Sequence, residues 1–402
     1  MSALPTTELT GAGLGFGPVP VEPCVSPAYF AAEREHLFRK AWMNVAHRSE
    51  VPNPGDYVVK PLPTLGVEVL LVRDKAGQLG AYYNVCTHRN NKVVRGSTRG
   101  NCKGFSCGFH GWRYDLQGRL VDVPDEEQFI EFDKQDYGLR QLAVDSWENF
   151  IFVFPTPDPP MTLRQWLGEI DVDIAGGPLT NLIPTARFRA EVNVNWKVFS
   201  DAFCEGYHVG YIHKRSLAGS FISESNPHCH IAGVRLYQHH SIVSILGGNP
   251  KHIPTPTELL VGKFGGGSYG SRATGFDHLP KGLNPERDPS WNFDIVNVFP
   301  NFAVHVGADF AYSYNFWPVA ADRTIWDVAI YQRPPNNWSE AVALNYMRVL
   351  LRDSLREDVN TTEDAQQNLN AGIMQTIPLS QQEVVLRHRY KVVERWLAQA
   401  EQ

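Results

Sequence analysis

Residues 86–91 read Cys-Thr-His-Arg-Asn-Asn and residues 107–112 read Cys-Gly-Phe-His-Gly-Trp, so each short stretch brings one thiol and one imidazole within reach of a common point. A single Cys-x-His pair is most often a buried thiol beside a surface imidazole. Here Cys86-Thr87-His88 is followed, after 18 intervening residues, by Cys107-Gly108-Phe109-His110, which runs straight into Gly111-Trp112-Arg113-Tyr114 and a turn-like Gln117-Gly118. Two such pairs this close together point to one shared inorganic centre. Zinc accepts the same donors, but its sites favour Cys-x2-Cys or His-x3–5-His pairs.

Two thiolates on one iron and two imidazoles on the other are the ligand set of a Rieske [2Fe–2S] cluster, which assigns Cys86, His88, Cys107 and His110 as cluster ligands. Imidazole in place of thiolate raises the potential above that of an all-Cys cluster, so the chain is expected to move single electrons. Both loops resemble the cluster-binding loops of Rieske oxygenases and their ferredoxins. The respiratory type carries an extra Cys in each loop and a Ser bonded to a sulfide; Asn91, Phe109 and Trp112 stand at the corresponding positions. With fewer hydrogen bonds to sulfur the reduced cluster is stabilised less, and a potential below the respiratory type follows.

The 402 residues, 43% of them hydrophobic, suffice for two sizeable cores. A net charge of −6 and the lack of a basic stripe argue against nucleic acid as a partner. The cysteines outside the two loops, Cys24, Cys102, Cys204 and Cys229, form no small-domain disulfide pattern, which fits a reducing compartment. There is no basic start followed by an apolar run and no stretch near 18 apolar residues, so a soluble cytoplasmic protein is expected, with no membrane partner.

Along the chain, Pro27 to Trp42 reads as an amphipathic helix started by Ser26-Pro27. From Val51 to Phe154 short β-branched runs alternate with Gly and Pro: Tyr57-Val58-Val59, Val67 to Val72, and Ile151 to Phe154. Pro155-Thr156-Pro157-Asp158-Pro159-Pro160 cannot continue a central strand or a helix, and sets a boundary. The expected division is an N-terminal segment 1–42, an all-β domain 43–155 and a second domain 161–402. In the second domain, helices are expected from Leu163 to Ile170 and from Trp196 to His208, strands from Arg187 to Asn193, and a long helical region at the end. Gly262 to Gly275, with six Gly in fourteen residues, reads as a mobile loop.

After Asn195-Trp196-Lys197 the chain continues Asp201-Ala202-Phe203-Cys204-Glu205-Gly206-Tyr207-His208-Val209-Gly210-Tyr211-Ile212-His213. His208 and His213 are five apart, helical spacing stretched by one residue at Gly210. Two histidines and one carboxylate hold iron(II) with positions left open for O2 and substrate; taken alone, the pair also reads as two satisfied histidines at a helix end. For the carboxylate, Leu344, Met347, Leu351, Leu355, Asp358 and Thr362 recur at helical intervals. Asp358 thus falls on an apolar face, where an unpaired carboxylate is costly. Glu357 and Asp364 are rivals that lie off that stripe.

The segment from Asn195 to His213 resembles the opening of the catalytic domain in Rieske non-haem iron oxygenases, and the resemblance covers nearly the whole chain. It implies an α+β architecture, with the Rieske domain inserted in a helix-grip, Bet v 1-like catalytic domain built on an antiparallel sheet. It implies iron held by His208, His213 and Asp358, and electrons from NADH or NADPH delivered by a partner reductase or ferredoxin. It implies a head-to-tail homotrimer in which Glu205 links the cluster of one subunit to the iron of the next, and leaves room for a separate β subunit. Asp201, one turn before Glu205, is a further candidate to face the iron. Many ring-hydroxylating members have Asp where Glu205 stands; Glu is similar to monooxygenases of quaternary ammonium compounds. Ring hydroxylation therefore competes with demethylation or C–N cleavage, for which Phe199, Phe203, Tyr207 and Tyr211 are candidates for an aromatic cage. The rival from another class is a plain electron carrier with a non-catalytic second domain.

Overall fold

The structure, a computed structural model, describes residues 13–247, 251–264 and 276–400. The chain divides into two compact units: Phe38–Trp166, and a unit formed by the residues up to Leu37 together with those from Leu167 onward. The first unit closes at Trp166 rather than at the proline run. Trp42 Nε1 donates to the Met161 carbonyl at 3.0 Å, and Leu163 and Trp166 are buried, so the chain beyond the prolines is still tied to the first unit.

In the Phe38–Trp166 unit, strands β1 (Met43–His47), β2 (Asp56–Leu62), β3 (Val67–Arg73), β4 (Leu79–Tyr83), β5 (Arg99–Asn101), β9 (Gln141–Trp147) and β10 (Phe150–Phe154) form one antiparallel sheet in the order β1-β10-β9-β4-β3-β2-β5. A small sheet of β6 (Phe105–Ser106), β7 (Arg113–Tyr114) and β8 (Leu120–Asp122) carries the second Cys/His loop. Leu70, Val72, Tyr82, Trp112, Tyr114 and Leu120 pack into one core that also takes in Cys86 and Cys107.

In the other unit, β11 (Ile183–Val192), β12 (Gly233–Leu236), β13 (Ser241–Leu246), β14 (Trp291–Val298), β15 (Phe302–Val306), β16 (Phe310–Ala320) and β17 (Arg323–Gln332) form a second antiparallel sheet, ordered β11-β17-β16-β15-β14-β13-β12. Strand alternation puts Tyr312, Tyr314 and Phe316 of β16 on one face, where they join Phe199, Phe203 and Leu355 in a common core. Helix α1 (Pro27–His36) is shorter than expected, followed by a 3-10 turn at Phe38–Lys40. Helix α2 (Trp196–Asp201) also stops early. Residues 202–217 run as turns because Gly206 is pressed against Cys229: a Cβ there would lie 2.5 Å from the Cys229 carbonyl oxygen. Leu163–Leu167 and Glu169–Asp173 are separate helices broken at Gly168, whose φ is +57°.

Helix α3 (Trp338–Asn370) is 33 residues long and is capped by the Asn337 side chain, which accepts from Glu340 N at 3.0 Å. Its buried face carries Leu344, Ser354, Leu355, Asp358, Thr362 and Gln366. Helix α4 (Val384–Ala400) ends the described chain. Gly262–Phe264 finish a short helix, Pro256–Phe264, rather than opening a loop; the rest of the expected mobile loop, 265–275, lies outside the described residues. Among the described residues no helix is long and apolar enough to cross a membrane.

The Asn195-Trp196-Lys197 triplet holds α2 in place. Asn195 Oδ1 accepts from Lys197 N at 3.0 Å, its backbone N–H donates to Gln366 Oε1 at 3.0 Å, Trp196 Nε1 donates to Glu33 Oε2 at 3.1 Å, and Lys197 Nζ pairs with Glu33 Oε1 at 2.6 Å. Both charges of that pair are fully shielded from solvent.

Candidate active site

The Cys/His loops of the first unit share a backbone plan. Cys86 N donates to Asn91 O at 2.7 Å and Asn90 N to Cys86 O at 3.0 Å; Cys107 N donates to Trp112 O at 2.8 Å and Gly111 N to Cys107 O at 3.0 Å. Asn90 and Gly111, each four residues after its Cys, take φ of +58° and +74°. The repeated turn aims both thiols and both imidazoles at one place. The Cys86 and Cys107 side chains touch, the His88 and His110 rings lie 4.5 Å apart between centroids, and Trp112 stacks on His88 at 4.7 Å and 7°.

The donor set fits an iron–sulfur cluster. His88 Nδ1 is buried without a partner, and neither thiol is in a disulfide. Burial opposes ionisation of Cys107, but the backbone N–H groups of Phe109 and His110, with Cys86 and Asn91, outweigh it and lower its pKa. Burial dominates at Cys86 and raises its pKa, and burial lowers that of His88, assisted by His110 and Arg89. Tyr114, which sequence reasoning left without a role, places its hydroxyl 3.2 Å from Cys86 Sγ and 3.1 Å from Thr87 N. Tyr114→Phe is expected to lower the potential of the loaded cluster by about 20–60 mV, the equivalent of one hydrogen bond that strengthens on reduction. Protein-film voltammetry reads this shift directly, and an unchanged potential would remove Tyr114 from the set of tuning groups.

In the second unit, candidate ligand atoms of His208, His213 and Asp358 all lie within 4.8 Å of one another. Asp358 Oδ1 sits 3.3 Å from His213 Nε2 and 3.7 Å from His208 Nε2, is buried, and makes no hydrogen bond of good geometry among the described residues. A carboxylate left unsatisfied between two imidazoles is what a cation would relieve. The imidazoles are held from behind: His208 Nδ1 lies 2.5 Å from Glu205 Oε1, and His213 Nδ1 lies 2.8 Å from Glu357 Oε2, which also accepts from Ser216 Oγ at 2.6 Å. Such carboxylate–imidazole contacts fix the tautomer that presents Nε2 to a metal. Burial opposes protonation of His213, yet Asp358 and Glu357 together raise its pKa.

Glu357 was expected only as a rival ligand. Its position one residue round the helix from Asp358 lets α3 supply both a candidate ligand and the group that orients His213. Asp201 is not brought to the triad. It pairs with Arg389 at 2.8 Å, its Oδ2 lies 3.4 Å from the Tyr390 hydroxyl, and burial pushes its carboxyl up to about 7 with Arg389 opposing.

The triad lies in the wall of a cavity with about 760 Å³ of empty space, otherwise lined mainly by apolar and aromatic side chains such as Phe203, Phe293, Tyr312, Tyr314 and Leu351. That apolar and aromatic lining suits a small organic molecule. The aromatic cage expected near α2 does not form. Of its members only Phe203 lines the cavity; Phe199 is in the core and Tyr207 and Tyr211 are 46% and 66% exposed. The aromatic walls come instead from strands β14 and β16, a hundred residues further along.

Comparison with known proteins follows this division. Residues 41–145 match the Rieske [2Fe-2S] domain and residues 179–399 match the ring hydroxylating alpha subunit (catalytic domain). The chain is 33% identical over 190 residues to the carnitine monooxygenase oxygenase subunit of Acinetobacter baumannii, covering 47% of this chain and 50% of that protein. It is 34% identical over 194 residues to the biphenyl 2,3-dioxygenase subunit alpha of Rhodococcus jostii, covering 46% and 40%. These matches span about half the length of the curated relatives or less. In fold it is similar to the quaternary ammonium Rieske monooxygenase CntA (TM-score 0.75, 22% identity, 98% and 99% of the two chains) and to naphthalene 1,2-dioxygenase from a Rhodococcus species (0.74, 22%, 100% of both). With both of its units matched and the catalytic-domain match alone covering more than half of its residues, the chain belongs to the Rieske ring-hydroxylating alpha-subunit family.

Proposed function

We propose that the protein is the oxygenase component of a multicomponent Rieske non-haem iron oxygenase that hydroxylates an aromatic or other small organic substrate. The observation that carries this reading is the orphaned Asp358 Oδ1 between two imidazole Nε2 atoms, set in the wall of an apolar cavity. When bound, the cluster supplies single electrons and the mononuclear iron activates O2. Cys86, His88, Cys107 and His110 would hold the first, and His208, His213 and Asp358 the second. Glu205 and Glu357 keep the imidazoles oriented, while the aromatic walls exclude water and position the ring or C–H bond. A plain electron carrier has no use for a buried carboxylate facing two histidines above a cavity.

Electrons would come from NAD(P)H through a reductase or ferredoxin, and cross between subunits of a homotrimer at Glu205. A relative of this fold is described by its inter-subunit electron transfer. Demethylation or C–N cleavage of a quaternary amine is the second reading, favoured by the similarity to the carnitine monooxygenase subunit and by Glu205 itself.

The test is a single turnover: protein reduced chemically, freed of reductant and exposed to 18O2 with a panel of aromatic and amine substrates. A ring- or C–H-hydroxylated product carrying 18O, or a dealkylated amine with the matching aldehyde, is expected; cluster reoxidation with none of these products from any substrate would count against the proposal. In the same assay Glu205→Gln, which turns an obligate acceptor partly into a donor, should leave both metal contents intact but slow electron delivery by about 10–100-fold. An unchanged rate would reduce Glu205 to a structural role.

A further inference from the structure

His305 lies on β15 in the same row as the aromatic wall of the cavity: it pairs in register with Ile295 on one side and Tyr312 on the other. The residue is 5% exposed, and its ring is clamped by Phe293, stacked at 5.2 Å and 20°, and by Tyr312 at 4.6 Å. Nε2 lies 3.1 Å from the Phe203 carbonyl oxygen. A carbonyl can only accept, so Nε2 carries the hydrogen and Nδ1 is left as a lone-pair acceptor. Burial holds the ring neutral, pushing its pKa down to about 3.

That Nδ1 is buried and has no partner. Two unpaired buried polar atoms stand among the described residues that line the cavity, Asp358 Oδ1 and His305 Nδ1. The first has an explanation in the metal. The second is left over on a residue that lines the cavity; the Phe203 contact holds its ring in this orientation, and a ligand donor that reaches Nδ1 would satisfy it. Ser354 cannot serve, because its hydroxyl already donates to the Leu350 carbonyl at 2.9 Å. Among the described residues no Lys or Arg lines the cavity, so none of them matches a carboxylate on the substrate. A quaternary ammonium group has no N–H and would leave Nδ1 unpaired.

We infer that His305 is a specificity-determining residue, its Nδ1 accepting a hydrogen bond from an O–H or N–H group of a neutral aromatic substrate. This rests on the oxygenase reading only in taking the cavity as the substrate site. The aromatic walls hold the ring, and His305 sets which edge of it turns toward the triad. A site built around a hydrogen bond rejects an analogue lacking the donor more strongly than an apolar pocket rejects a missing methylene.

The test measures binding without turnover, by calorimetry on the metal-loaded protein under strict exclusion of oxygen. The ligands are 2-naphthol, 2-fluoronaphthalene, which matches it in shape without a donor, and butyltrimethylammonium. The wild-type protein should bind 2-naphthol about tenfold more tightly than 2-fluoronaphthalene, and in His305→Phe that ratio should fall to near one through weaker naphthol binding. Equal binding of the pair by the wild type overturns the inference, whether or not the variant folds. So does a ratio that survives in His305→Phe, tighter binding of the ammonium ligand, or binding of none of the three. None of these outcomes touches the oxygenase reading, whose own test is labelled-oxygen incorporation.

Discussion

Asp358→Ala is expected to abolish retention of the mononuclear iron and lower turnover by about three orders of magnitude or more, since the metal's whole stabilisation of the reacting state is lost. The visible absorbance of the cluster should be untouched, because its candidate ligands sit in the other compact unit. Iron analysis, the cluster spectrum and a turnover assay check these three outcomes. Full activity in the variant would reassign the ligand; Glu357, already hydrogen-bonded to His213, would then be the nearest alternative, with Asp364 exposed on the far side of the helix.

Lys197→Met should cost about 3–5 kcal/mol of stability, because it leaves Glu33 without its counter-charge in a place fully closed to solvent. The double change Glu33→Gln, Lys197→Met should recover part of that loss. Its pH dependence has a definite sign. Burial already raises the Glu33 carboxyl above its ordinary value of 4.5, with Lys197 opposing. Without Lys197 the folded state binds that proton more tightly still than the unfolded chain does. Stability of the variant therefore rises as pH falls through the raised folded value toward 4.5, and the deficit against wild type should shrink over that fall. Urea melts at several pH values measure it; a pH-independent loss of under about 1 kcal/mol would mean that the pair contributes only packing.

Most of what brings the candidate ligands together is local, and so was legible in the sequence. Each cluster loop closes on itself within six residues, and Asp358 shows itself by interrupting an apolar stripe of helical period. Long-range contacts decided the rest. Nothing near Asp201 in sequence announces Arg389, so a residue expected to face the iron turned out to be paired elsewhere. Helix α2 is shorter than periodicity suggests because the approach of Gly206 to Cys229 is a long-range contact. Tyr207 and Tyr211, candidates for an aromatic cage, fall in turns and are largely exposed, whereas most of the aromatics that line the cavity alternate along distant strands. The role of Glu357 depends on where the turn bearing His213 and Ser216 meets α3, which no motif spacing encodes.

Whether one chain carries two separate iron centres is read from the iron content of the purified, anaerobically loaded protein with Mössbauer analysis of the iron environments. About three irons per chain are expected, two in a sulfide-bridged pair and one high-spin ferrous ion in a nitrogen and oxygen environment. Two irons per chain, all in the sulfide-bridged pair under conditions of excess ferrous iron, would contradict it and leave an electron carrier.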